Sequence, residues 1–269
     1  MIAWIWARTV PSPDPAFSDV QVPIAANFML HTKKNSEISI EPILNKELKS
    51  IEYQIRRGGN KEELAIAAEG TKAGRGANFR CLFSGAAITP EYVKASGKKG
   101  LMSQTLIAVV AKGRGSRIFL RPLPEQVAIL RGLQAEWYPE IQLPNHSQYI
   151  GVLGYGFETF GDLYTPRQAH ALTTFCDLVR EAHQKLLSDI TKSKPPGAES
   201  KCVDGDDYAQ AVAVYLGIAA SKLSVFLNTQ SRWRAGESKT APAFGRQAIA
   251  MVWDFAEVNP FAGAGGDFY

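Results

Sequence analysis

The stretch that most constrains the fold opens at Thr165-Pro166-Arg167-Gln168. It reads as a capping box, with Thr165 as N-cap, Pro166 at the first helical position and Gln168 able to reach back to the cap. Leu172, Phe175, Val179, Ala182, Leu186 and Ile190 then recur at steps of three or four. That spacing predicts a long amphipathic helix. Residues 192–203, with Pro195-Pro196-Gly197, read as a linker. Residues 204–227 predict a second helix, apolar over most of its surface through Val212, Tyr215, Leu216, Ile218, Leu223 and Phe226, and so expected to be buried on several sides.

No comparable periodicity occurs in the front half. Residues 2–10 are rich in Ile and Trp, and end at Pro11-Ser12-Pro13-Asp14-Pro15, which cannot continue a strand. Residues 20–30, 37–43 and 50–56 show strand-like patterns, then Arg57-Gly58-Gly59-Asn60 turns and 70–78 form a Gly/Lys/Arg loop. A short strand is expected at 78–83, a helix capped by Thr89 with Pro90 at its first position, and a hairpin of 105–111 with 116–120. Residues 124–137 predict a helix with Val127, Leu130, Leu133 and Trp137 on one face, 139–161 are irregular, and 229–242 form a polar loop carrying Arg232, Trp233 and Arg234. The expected class is α+β: a β-rich portion over residues 1–121 and a mostly helical portion over 122–269.

The chain has 269 residues, enough for one large or two ordinary cores. Its apolar runs are too short and punctuated for a membrane span. The opening Met1-Ile2-Ala3-Trp4-Ile5-Trp6 has no basic flank or cleavage site, so it reads as a strand and not as a signal peptide. Three widely spaced cysteines, Cys81, Cys176 and Cys202, argue against a disulfide framework and for a reducing cytoplasm. Net charge is +4, unevenly spread: residues 33–131 hold 18 Lys/Arg against 9 Asp/Glu. Such a surplus marks either a polyanion-binding region or a solvated basic face.

Four segments resemble one family. They are Ala3-Trp4-Ile5-Trp6-Ala7-Arg8-Thr9-Val10, Ile88-Thr89-Pro90-Glu91-Tyr92, Gly161-Asp162-Leu163-Tyr164-Thr165-Pro166-Arg167-Gln168, and a C-terminal run. That run pairs Phe244-Gly245-Arg246-Gln247-Ala248 with Met251-Val252-Trp253-Asp254-Phe255-Ala256-Glu257-Val258-Asn259-Pro260-Phe261. The chain resembles, from end to end, the bacterial and archaeal adenine-specific DNA methylases that carry a zinc ribbon inserted in the methyltransferase domain. In that family a Phe-x-Gly-x-Gly cofactor loop precedes the first segment and a catalytic Asp-Pro-Pro-Tyr motif follows the last. The resemblance therefore implies an internal, non-catalytic segment, placed where such enzymes keep target recognition. S-adenosylmethionine is expected for a full-length member and no cofactor in this chain. Expected partners are DNA and the remainder of the methylase domain or a companion chain, with no membrane.

The resemblance also places the ribbon's two Cys pairs at Ser12 and Phe17, and at Cys81 and Ser84. Three of the four ligands are replaced, and structural zinc needs four Cys or His donors. A degenerate, metal-free ribbon remnant held by apolar packing around Phe17 is the expectation.

No catalytic constellation is expected. DNA-contact candidates are Arg56, Arg57, Lys61, Arg75, Lys98, Lys99, Arg114 and Arg117, set around three turns. Phe261, Gly263 and Gly265 have the shape of a cofactor loop, a weaker alternative because a lone glycine motif is common. Thr165 and Gln168 are assigned to capping, Asp162 to the turn before it, and Trp253, Phe255 and Phe261 to packing. Arg246 and Asp254 are assigned to a buried ion pair, and Cys176 to a helix's buried face. Residues 2–10 and 251–255, both apolar, are expected to pack near each other. A protein-interaction module without nucleic-acid function and a methyltransferase using the C-terminal glycines are the alternative readings.

Overall fold

The computed structural model describes residues 1–130, 132–146, 148–193, 205–245 and 247–265. The fold is α+β, strand-rich in its N-terminal part and helical in its C-terminal part. The first half contains β1 (Ala3–Pro11), β2 (Gln21–Pro23), β3 (Met29–His31), β4 (Ile38–Asn45), β5 (Ser50–Arg57), α1 (Lys61–Glu69), β6 (Phe79–Arg80) and β7 (Ala87–Ile88). It continues with α2 (Pro90–Lys98), β8 (Ser103–Lys112) and β9 (Arg117–Leu120). The second half contains α3 (Pro124–Ala128), α4 (Pro166–Ser193), α5 (Gly205–Ser224), β10 (Arg232–Arg234), β11 (Lys239–Ala241) and β12 (Asp254–Val258).

One antiparallel sheet organises these parts, in the order β12-β1-β8-β9, with β2 pairing the far end of β1. The register sets Ala3 opposite Val258 and Ala7 opposite Asp254, so the first and last strands are hydrogen-bonded neighbours. This is the proximity expected of residues 2–10 and 251–255. Strand alternation then divides β1 between two faces. Ala3, Ile5 and Ala7 pack with Phe28, with Leu30 and Ile40 of the three-stranded sheet β3-β4-β5, and with Ala67 of α1. Trp6 faces the other way, onto Leu106, Val109 and Phe255.

The helix expected from Thr165 forms as α4, and pairs with α5 along a helical hairpin. Its base is anchored where Phe175, Ala220, Leu223 and Leu227 meet Val258 of β12. Thr89 caps α2 by accepting from the Tyr92 N–H, and β8–β9 form the expected hairpin. Among the described residues no helix is long and apolar enough to cross a membrane.

Several expectations need correction. Residues 124–137 are helical only over Pro124–Ala128, and Gly132 adopts a left-handed φ of 77° that a continuing helix cannot use. Val127 and Trp137 are exposed instead of lining a core face. The loop at 229–242 contains the β10–β11 hairpin, because Trp233 donates its indole N–H to the Leu30 carbonyl and packs edge-on against Phe119. Helix α1 was unforeseen. Its capping box is nevertheless written in the sequence: Asn60 accepts from the Glu62 and Glu63 N–H groups, and Glu63 accepts from the Asn60 N–H. Helix α5 is not buried on several sides, since Tyr208, Val214, Tyr215 and Ile218 are exposed. Cys176 is exposed, not buried. Of the linker expected at 192–203, Lys192 and Ser193 instead belong to α4, and the rest lies outside the described residues, as do Cys202 and Arg246.

Candidate functional site

The four segments singled out in the sequence meet at the main sheet, two of them as its paired strands β1 and β12. Arg167, in the first turn of α4, reaches β12 and forms an ion pair with Glu257. Its Nε donates to Oε1 at 2.8 Å and to Oε2 at 2.7 Å. The two side chains are only 12% and 11% exposed. The guanidinium also lies 3.9 Å from the centroid of the Trp6 ring. Burial pushes the Glu257 carboxyl upward, while the charge and hydrogen bond of Arg167 pull against it. Beside this pair, Arg8 is buried with its Nε donating to the Val252 carbonyl at 2.8 Å. Its guanidinium stacks 4.8 Å from the Phe157 ring and 5.7 Å from Phe255. Loss of water around it lowers the Arg8 pKa to about 10. Local chain chemistry sets this geometry. Thr165 and Gln168 form the expected capping box, in which Gln168 Oε1 accepts from the Thr165 N–H at 2.9 Å. Asp162 Oδ2 accepts from the Glu158 and Thr159 N–H groups, completing the turn that aims α4 at the sheet.

The four positions expected of a ribbon remnant also come together, although nearly 70 residues separate the pairs. Ser12 Oγ lies 3.3 Å from Cys81 Sγ. Ser84 turns back toward the same sulfur. Burial raises the Cys81 pKa, but hydrogen bonds from the Ser12 and Ser84 hydroxyls and from the Ser84 and Phe83 N–H groups outweigh it, leaving the thiol below its ordinary value. Phe17 stacks on Phe83 with ring centroids 5.2 Å apart. One thiol, two hydroxyls and a phenyl ring do not fit zinc, which takes four sulfur or nitrogen donors. Among the described residues no group of three or more His, Cys, Asp or Glu side chains gathers at one point.

The basic residues occupy different parts of the surface. Arg57 and Arg121 flank a shallow depression of about 420 Å³ that Phe119 and Leu120 also line. Arg114 is exposed in the β8–β9 turn of the same hairpin, and half-buried Arg117 lies 5.7 Å from the Trp233 ring. Arg56 is engaged within the chain, by Glu63 at 3.2 Å and Glu41 at 3.5 Å. Lys61 opens α1, and Arg75 is exposed in the 70–78 loop. Lys98 and Lys99 sit at the end of α2, beside Gly97, where any side chain would run into the Tyr155 carbonyl.

Asp254 lines a polar cavity of about 600 Å³ together with Asn27, Gln230, Arg232 and Trp253. Its Oδ1 accepts from the Ala26 N–H at 2.8 Å, yet burial raises its pKa to about 6. The pairing expected between Asp254 and Arg246 falls on a residue outside those described. Trp253 packs edge-on against Phe79 and Tyr155, and Phe255 is fully buried. Phe261 is mostly exposed but approaches Phe175, with ring centroids 5.7 Å apart. The turn that follows is tied down by Asn259, whose Oδ1 accepts from the Phe261 N–H. Gly263 has a φ of 61°, and Ala262 and Ala264 pack on the core.

No protein-family model, curated protein or solved structure matches this chain.

Sequence reasoning missed the Arg167–Glu257 pair and the stacked Arg8. Their signal was Arg8 inside the apolar residues 3–10 and Glu257 inside the largely apolar residues 251–258, but the partners are 90 and 244 positions apart.

Proposed function

We propose that the chain is a non-catalytic, target-recognising segment of an adenine-specific DNA methyltransferase. The observation that carries this reading is the convergence of the resembling segments. β1 pairs with β12, Arg167 of α4 joins Glu257 over Trp6, and Tyr92 donates to the Pro11 carbonyl at 3.1 Å. Segments that share one family pattern have a physical reason to persist together when they pack on one another. The meeting of Ser12, Phe17, Cys81 and Ser84 supports the ribbon-remnant part of the reading in the same way.

Methyl transfer to an adenine amino group requires a flipped base and a cofactor pocket. The sequence contains no Asp-Pro-Pro-aromatic motif: its only Pro-Pro is Pro195-Pro196, followed by Gly197. The segment's own task is then contact with the duplex through Arg57, Arg114 and Arg117, around β5 and the β8–β9 hairpin. S-adenosylmethionine and the catalytic groups would come from other parts of the methylase or from a companion chain. The test is incubation of the purified chain with duplex DNA and labelled S-adenosylmethionine. Binding of DNA without methyl incorporation is expected, and incorporation overturns the non-catalytic assignment. Calorimetry with S-adenosylmethionine addresses the glycines after Phe261, where no heat of binding is expected.

A protein-interaction module is the second reading, favoured by the exposed apolar side chains on α5.

A further inference from the structure

Helix α5 carries two apolar stripes. Ala209, Ala220 and Leu223 are buried, on the side that faces α4 and the body. The second stripe is Tyr208, Ala211, Tyr215 and Ile218, spaced three and four apart, with Val214 beside it. Exposures are 53% at Tyr208, 49% at Val214, 75% at Tyr215 and 60% at Ile218. A surface helix is ordinarily polar on its outer side. With an aromatic side chain offering about 150–250 Å², these four residues leave a patch of about 400–500 Å² per chain, the size that marks an interaction surface.

We infer that this stripe is the interface with a second copy of the same chain, packed two-fold and antiparallel, α5 against α5, to complete a four-helix arrangement. The stripe is self-complementary in shape. A two-fold axis near Ala213 sets Tyr208 against Ile218 of the other copy and the small Ala211 against its Tyr215, so a large side chain enters the gap left by a small one. It is also self-complementary in charge. The first turn of α5 holds Asp206 and Asp207, and the last turn holds Lys222. In the antiparallel arrangement each acidic turn lies beside the basic turn of the other copy, offset by about 3–5 Å along the axis at 1.5 Å per residue. The two copies together bury about 800–1,000 Å² of apolar side chain, and flanking polar residues bring the total into the range of specific dimers. This inference stands independently of the methylase reading.

The test is sedimentation velocity on the full chain from about 1 to about 200 µM, where an interface of this size gives reversible association. A concentration-dependent dimer is expected. Tyr215→Asp is expected to weaken it at least about tenfold while leaving helix content unchanged, because Tyr215 is a surface residue in the monomer. Lys222→Asp is expected to weaken it by a smaller factor, and Lys222→Asp combined with Asp207→Lys to restore it. The charge-swap pair keeps the inference falsifiable if Tyr215→Asp fails to fold. A monomer at every concentration overturns it, as does a dimer indifferent to both sets of substitutions.

Discussion

Replacing Arg167 by leucine removes one side of the ion pair that ties α4 to β12. Two charges about 4 Å apart at an effective dielectric near 20 attract by about 4 kcal/mol, and deleting one partner of a buried pair costs about 3–5 kcal/mol. The small residual exposure of Arg167 and Glu257 places the expected loss toward the lower end, about 3 kcal/mol at pH 8. The contact of the guanidinium with Trp6 contributes to that figure. The loss should depend on pH. Burial already raises the Glu257 pKa, and without Arg167 only the hydrogen bond from Gln168 pulls against it. The folded state then binds a proton more readily than the unfolded state, so stability lost at alkaline pH returns as pH falls through the folded pKa. Urea unfolding followed by far-UV circular dichroism at a series of pH values measures this. Arg167→Leu with Glu257→Leu should cost much less than the sum of the single changes, because no uncompensated charge remains. A loss under about 1 kcal/mol at pH 8, or one with no recovery on acidification, would refute the assignment of this pair as the clamp between α4 and the sheet.

Three further expectations follow from the same structure. Asp254→Asn keeps an acceptor for the Ala26 N–H but removes a carboxyl whose pKa is raised to about 6. The variant should exceed the parent in stability by up to about 3 kcal/mol above pH 6, and the advantage should vanish toward pH 4, as paired urea titrations would reveal. Thr165→Ala removes the α4 cap and should cost about 1 kcal/mol, visible as a lowered melting temperature. Ser12→Cys, Phe17→Cys and Ser84→Cys together rebuild a four-cysteine set with Cys81. One zinc per chain by elemental analysis is expected of that variant, and absence of zinc would count against the ribbon-remnant reading.

The order of strands and helices was legible where local chemistry decides it. Thr165, Gln168, Thr89 and Pro90 state their helix starts outright, and the glycines of the β8–β9 turn state a hairpin. The meeting of the chain's two ends was legible because both segments are too apolar to stay in water. Residues 124–137 misled because helical spacing alone does not say whether a core lies alongside. Here only Leu130 finds one, against Trp6 and Phe255. Trp233 misled in the opposite direction: its polar neighbours read as loop, but its indole N–H is claimed by Leu30, some 200 residues earlier. For α5, an all-round apolar pattern predicts burial on several sides, and the structure leaves one stripe open. The basic residues show the same limit. Sequence collected Arg56 with Arg57, whereas Glu41 and Glu63 neutralise Arg56 and leave Arg57 beside Arg121.

Contact with duplex DNA through the basic turns is the core of the proposed function. Its most direct test is the salt dependence of duplex binding by the full chain, compared with a variant carrying Arg57→Glu, Arg114→Glu and Arg117→Glu. Each phosphate contact contributes about 0.9 to the slope of log affinity against log salt. The parent should bind with affinity that falls steeply with salt, and the variant should lose about three units of slope together with most of its binding. No binding at low salt, or binding that the three reversals leave unchanged, would contradict the claim.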